Sequence, residues 1–287
     1  MTATPDASPG EAPLRVGRID FVNCFPLYHR FTEELAARGY TATVVPGPPT
    51  RLNALLADGG IDVALPSSIA FARAVDRLVL LPHVSISSFG AVDSIQLFTR
   101  RPLPELRRVA VSEKSATSVT LLRILCRAWG VEPEFTVRDG PLSEVLETAD
   151  GLLLIGDDAL RLLRLGAYPH HLDLGEEWRR LTGLPMVYAV CAARRDAFGR
   201  RRAAVRAVGE ALLASRDACA ADPAGTAAAA AQLYDFSQSY LMAYFDRLRF
   251  GFTPEFQAGL QEFLRRAHEV GELETVPDVG ALLAETR

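Results

Sequence analysis

Three hydroxyls fall within four residues at Ser115, Thr117 and Ser118, directly after the chain's only lysine, Lys114. The stretch SEKSATSVTLLRIL follows a strand-like run, RRVAV, and leads into a helical one. A helix start offers unpaired N–H groups and a partial positive charge, and Ser and Thr side chains add donors. Carboxylates and phosphates bind at such ends. One hydroxyl is enough to cap a helix, so three beside an ammonium suit an anion site. The glycines of a phosphate-binding loop are missing, which argues against a nucleotide. Lys114 either attracts the anion or is a solvated loop charge.

Asn23 stands at the tip of another strand-like run, in RVGRIDFVNCFPLYHRF. An amide is neither a useful acid nor a useful base near neutral pH, so its chemistry there is geometric and electrostatic. Other polar residues follow other predicted strands. Ser67 and Ser68 follow IDVALP, Ser94 follows SSFGAVD, and Asp157 and Asp158 follow GLLLI. Thr182 and Gly183 precede a later strand in LTGLP. Ser67 and Ser68 also read as a helix cap, and the two aspartates as a helix start. Neither a His nor a third acid lies at ligand spacing from the aspartates, so no metal is expected. His170 and His171 lie in the loop-like AYPHHLDLG and read as surface residues. No GxSxG, HExxH or GxGxxG occurs. The set suits holding an oxygen-rich anion more than attacking one.

Ligands of open α/β sheets bind at the carboxyl ends of the strands. The elements that must carry these residues alternate accordingly. LRVGRIDFV reads as a strand, PLYHRFTEELAARG as a helix, YTATVVPG as a strand, PTRLNALLADGG as a helix, and IDVALPSS as a strand running into a helix. LVLLPHVSISS and AVDSIQLFTRR are two more strands. RRVAVS opens a second unit, with a helix whose Val119, Leu122, Cys126 and Trp129 share one face. EFTVRDG, the short helix PLSEVLETA, DGLLLIGDDAL and LPMVYAVCAARR complete it. From about residue 196 the pattern is helical to the end, with Asp222 capping and Pro223 opening one helix. Strand crossings near 85–100 and 184–195 predict two lobes with a cleft between them. The expected limits are a loose tail over 1–13, one lobe from 14–96 with 190–287, and a second over 97–189.

The formal net charge of −4, with no Lys/Arg block, argues against a nucleic-acid partner. No stretch approaches 18 consecutive apolar residues, so no membrane span is expected. The N-terminus lacks a basic start and an apolar stretch, so a cytoplasmic location is expected. Cys24, Cys126, Cys191 and Cys219 form no CxxC pair and read as small buried hydrophobes in a reducing compartment. Oligomeric state is not legible.

Six blocks in order resemble chorismate dehydratase, the family that opens the futalosine route to menaquinone. They are RVGRIDFVNCFPLY, DGGIDVALPSSIAF, GAVDS, SEKSATSVTLLRIL, LLLIGDDAL and EEWRRLTGLPMVYAV. Ala70 departs from the pattern, standing where many relatives carry Glu. The resemblance implies an α/β, two-lobed, type 2 periplasmic-binding-protein-like fold with a two-strand hinge. It implies a lyase that removes water from chorismate to give 3-[(1-carboxyvinyl)oxy]benzoate, without metal or organic cofactor. Ser115, Thr117 and Ser118 would then hold one carboxylate. Ser67, Ser68 and Ser94, with Thr182 and Gly183, would line the rest of the substrate. Asn23 would fix the leaving hydroxyl or an adjacent carboxylate. The base would be Asp157 or the substrate's own enolpyruvyl carboxylate. Two alternatives stay open. One is the sister enzyme 1,4-dihydroxy-6-naphthoate synthase, whose catalytic histidine would fall near His170 and His171. The other is a cytosolic small-anion-binding protein that does no chemistry.

Overall fold

The computed structural model describes residues 12–112, 116–137, 145, 149–166 and 168–286. Residues 1–11 of the expected tail, Lys114 and Ser115 of the anion turn, and most of the short helix expected over 141–149 lie outside them.

Two sheets form two lobes. The first contains β1 (Leu14–Ile19), β2 (Ala42–Gly47), β3 (Val63–Ala64), β4 (Leu78–Ser88), β10 (Met186–Arg194) and β11 (Leu248–Phe252), in the order β11-β4-β10-β3-β1-β2. The second contains β5 (Ile95–Thr99), β6 (Arg108–Val111), β7 (Glu134–Val137), β8 (Gly151–Ile155) and β9 (His170–Asp173), in the order β7-β6-β8-β5-β9. β1 runs parallel to β2 and β3, and β6 runs parallel to β7 and β8. Helices lie on the connections from β1 to β2, β2 to β3 and β6 to β7, as parallel pairing requires.

The chain crosses between the sheets twice. It leaves β4 at Ser88 for β5, and it returns into β10 at Met186. Met186 is paired antiparallel with Ser88 and Val187 with Ser87, so the two crossings lie side by side. β10 is buried along eight of its nine residues, which explains its continuous apolar run. Trp178 braces the return crossing by donating its indole N–H to the Pro185 carbonyl at 3.1 Å.

Four local expectations change. The helix expected over residues 26–39 is broken at His29 and Arg30 into Phe25–Tyr28 and Phe31–Ala37. The buried Ser215 hydroxyl splints the break: it donates to the Pro26 carbonyl and accepts from the Arg30 N–H, both at 3.0 Å. The loop-like AYPHHLDLG contains the edge strand β9, paired antiparallel with β5. The C-terminal helical region is interrupted by β11, which pairs antiparallel with β4. In the helix Ala116–Trp129 the buried face centres on Leu121, Leu122 and Leu125, with Val119 and Trp129 only half-buried. Helices Leu174–Thr182 and Pro254–Glu269 both pack on it and draw that face inward.

Candidate active site

The carboxyl ends of β1, β3, β6 and β8 face one cleft between the lobes, and each hands over to a helical segment there. Asn23 comes from the single 3-10 turn Val22–Cys24 after β1. Ser67 comes from the N-cap of helix Ser68–Ala72 after β3. Ser118 comes from the first turn of Ala116–Trp129 after β6, and Gly156 opens helix Gly156–Leu165 after β8. Ser94, from the first crossing, joins them in lining the cleft. The walls are Ile19, Phe21, Pro49, Leu65, Ile86, Ile95, Ile155, Tyr188 and Ala189. No arginine or lysine lines it among the described residues. Positive potential there comes from helix starts, which favour an anion.

Two of the polar groups are left without protein partners although they are buried. They are the Asn23 amide oxygen and the Ser67 hydroxyl. Ser67 sits at an N-cap position, yet its side chain makes no capping bond. An unmade buried hydrogen bond costs about 1–3 kcal/mol, which is tolerated most readily where a ligand completes the set. Ser68 differs: its hydroxyl donates to the Val187 carbonyl at 2.6 Å, tying helix Ser68–Ala72 to β10.

Two hydrogen bonds span the cleft. The Thr117 hydroxyl oxygen accepts from the Ile69 N–H at 3.0 Å, so a residue of the second lobe caps a helix of the first. Asp157 Oδ1 accepts from the Val22 N–H, also at 3.0 Å. Burial pushes the Asp157 carboxyl above its ordinary value; the Val22 N–H and Arg161 oppose this, and Asp158 adds to it. Gly156 makes the tightest approach across the gap. Its φ is +61°, and a Cβ there would lie 3.0 Å from the Phe21 ring. Its N–H donates to the Ser94 carbonyl at 2.8 Å. Held this way, the cavity is about 60 Å³, room for a few waters and not for a ring.

Thr182 and Gly183 have other duties. The Thr182 hydroxyl donates to the Trp178 carbonyl at 2.8 Å and accepts from Leu184 N–H at 3.1 Å, while Gly183 ends the helix at φ +72°. Neither is among the lining residues. His170 and His171 are exposed on β9 and also do not line the cleft. Cys24, beside Asn23, is buried, and burial foremost pushes its thiol far above the ordinary value, with Asp157 and Asp20 adding to it. It is packing, not a nucleophile. A larger groove of about 540 Å³ opens between Pro26, Met242, Phe245 and Phe250, and none of the candidate site residues from the sequence line it.

A family model described as menaquinone biosynthesis matches residues 14–269. The chain belongs to the menaquinone biosynthesis family. Within this family's span, it is 37% identical to the chorismate dehydratase of Thermus thermophilus over 199 residues, which are 64% of this chain and 71% of that one. It is 28% identical to the chorismate dehydratase of Campylobacter jejuni over 179 residues, 60% of this chain and 64% of that one. Among solved structures, a Candida albicans protein of the generic periplasmic binding protein fold aligns with a TM-score of 0.75 at 13% identity, covering 96% and 95% of the two chains. The alkanesulfonate-binding protein SsuA from Xanthomonas axonopodis aligns at 0.71 and 18% identity, covering 95% and 98%. The menaquinone biosynthesis family chain therefore has the two-lobed periplasmic-binding-protein fold, with its polar cluster in the cleft between the lobes.

The apolar walls were not found from sequence. Phe21, Ile86 and Tyr188 sit inside strand-end runs that look like ordinary core. No helix among the described residues is long and apolar enough to cross a membrane.

Proposed function

We propose that this protein dehydrates chorismate to 3-[(1-carboxyvinyl)oxy]benzoate as a lyase of menaquinone biosynthesis. One observation carries the reading: Asn23, Ser67, Ser94 and Ser118 converge on a single cleft lined by no described cation. The reaction removes the C3 proton and the C4 hydroxyl of chorismate as water and leaves an aromatic ring, so it runs downhill. It asks for orientation and for stabilisation of departing charge, not for an attacking group. Orientation alone can supply roughly 7–11 kcal/mol at best.

Ser118, with the start of its helix, holds one carboxylate, and Ser115 and Lys114, just before it in sequence, are assigned to the same carboxylate. Ser67, Ser94 and the neighbouring Ser68 serve the other polar edge. Asn23 directs the C4 hydroxyl. The two lobes that close on the substrate are taken as residues 14–96 with 190–287, and residues 97–189. The base in this reading is the substrate's enolpyruvyl carboxylate. Support comes from Asp157, whose accepting oxygen is engaged by Val22 and which is not among the lining residues. The exposed His170 and His171 count against the naphthoate synthase alternative. Four buried, unpaired cysteines support a reducing, cytoplasmic location.

Mixing the protein with chorismate and following ultraviolet absorbance tests the activity. The enzyme depletes the diene. A shift without depletion would indicate a binder, and no change at all would favour the sister enzyme.

Asp157→Asn separates the two candidate bases. The amide oxygen can still accept from Val22, so kcat is expected to stay near the parent value. A loss of about 10²-fold or more would make Asp157 the base. Stability gives a second check. The folded carboxyl titrates above its unfolded value, so its burial costs nothing in acid and costs progressively more as pH rises through that interval. The melting temperature of Asp157→Asn should therefore gain on the parent from acid toward neutral pH.

A further inference from the structure

Ser94 reaches the cleft from a backbone conformation that few residues adopt. Its N–H donates to the Val92 carbonyl, two positions back, at 2.7 Å, and Asp93 between them has φ +60°. Together these make a γ-turn with positive φ, the rare and strained member of its class. A residue other than glycine keeps such a φ only where its surroundings impose it. The turn delivers Ser94 to the cleft lining, where it is buried.

The restraint comes from Asp173, the last residue of β9. Its Oδ2 accepts from the Val92 N–H at 2.9 Å, the Asp93 N–H at 2.6 Å and the Gln96 side-chain amide at 2.7 Å. Its Oδ1 accepts from the Gly175 N–H at 2.9 Å and the Glu176 N–H at 3.2 Å, which caps helix Leu174–Thr182. One oxygen is enough for a cap, and serine or asparagine serves there as well as aspartate. Three donors converging on the second oxygen ask for a carboxylate, since an amide can offer an acceptor to one set and only N–H groups to the other. The Ser94 carbonyl is fixed as well, accepting from the Gly156 N–H at 2.8 Å. We propose that Asp173 is a positioning residue: its second carboxylate oxygen holds the strained turn that presents Ser94 to the substrate. Asp173 is not among the lining residues, so it acts through Ser94. Its pairing with Gln96 across β5 and β9 fixes it in register with the turn it restrains.

The kinetic part of this inference rests on the dehydration reading, so the test has two readouts. Asp173→Ser keeps an oxygen for the helix cap and removes the one that holds the turn. Amide hydrogen exchange over residues 92–96 should quicken by about 10-fold or more, while Gly151–Ile155 keeps the parent rate. Turnover of chorismate should fall by about 10-fold or more in kcat/KM, divided between kcat and KM as in Ser94→Ala. In the Ser94→Ala background the same change should cost nothing further. Parent-like exchange or turnover, exchange raised throughout the chain, or losses that multiply in the double variant would overturn the assignment. If Asp173→Ser does not fold, the turn is tested at its centre. Asp93→Val and Asp93→Gly both lose the ion pair of Asp93 with Arg247 at 2.9 Å, but only glycine accepts the positive φ. Asp93→Gly should then surpass Asp93→Val in kcat/KM by about 10-fold, and equal values refute the role of the turn. If the parent itself leaves chorismate untouched, the dehydration reading fails and exchange over residues 92–96 decides alone. Faster exchange in Asp173→Ser, or in Asp93→Val than in Asp93→Gly, supports the proposal, and equal exchange refutes it.

Discussion

Replacing Asn23 with alanine is expected to lower kcat/KM for chorismate by about 10²–10³-fold, the range for removing one oriented polar group from a water-poor site. Folding should not suffer with it. The amide oxygen of Asn23 is buried without a partner, so truncation removes an unmet need instead of a bond. A melting temperature equal to or above the parent's, beside a large kinetic loss, is the signature of a group kept for its ligand. Asn23→Asp makes a sharper probe. It keeps the shape but sets a carboxylate against a doubly charged substrate, in a cleft with no described cation to offset it. Its KM should rise steeply and recover in part as pH falls. Unchanged kcat/KM in Asn23→Ala would remove Asn23 from the mechanism.

Gly175→Ala is expected to unfold the molecule at a clearly lower temperature. A Cβ at Gly175 would lie 2.4 Å from the Gly90 carbonyl, 2.4 Å from the Tyr188 hydroxyl and 2.9 Å from the Ser88 hydroxyl. Those three atoms belong to the two interlobe crossings. Ser88 and Tyr188 are bonded to each other at 2.8 Å, and Ser88 also donates to Gly90. Backbone oxygen yields less than a flexible side-chain tip, so the cost should stand at the top of the overpacking range, about 3 kcal/mol. That corresponds to a drop of roughly 6–12 °C for a chain of this size. Gly199→Ala is the control, since a Cβ there meets nothing within 4 Å. If both variants melt with the parent, the crossings are softer than their packing implies.

The strands that carry the site were legible because each is a short apolar run closed by a polar tip. β1, β3, β6 and β8 are read directly from such runs, and so were Asn23, Ser67, Ser94 and Ser118 at or near their ends. β9 and β11 were not. Both are edge strands of four or five residues, paired on one side only. In β11 the alternation of buried Leu248, Phe250 and Phe252 was present but brief. The break after Tyr28 depends on Ser215, nearly 190 positions away, and no local pattern encodes that. Hydroxyl duties were hidden for the same reason. Ser67 and Ser68 are adjacent and alike in sequence, yet one is unpartnered and the other holds Val187. Thr117 looks like a cap for its own helix and caps a different one.

That borrowed cap, with the Val22–Asp157 bond opposite it, makes admission to the cleft an event with its own rate. A ring acid cannot slip into 60 Å³; both tethers must let go before it can enter. Association is then throttled by how often the molecule gapes, and apparent affinity is diluted by the same fraction. Loosening either tether, for example with Thr117→Val, should raise that fraction and with it both the rate of capture and the apparent affinity.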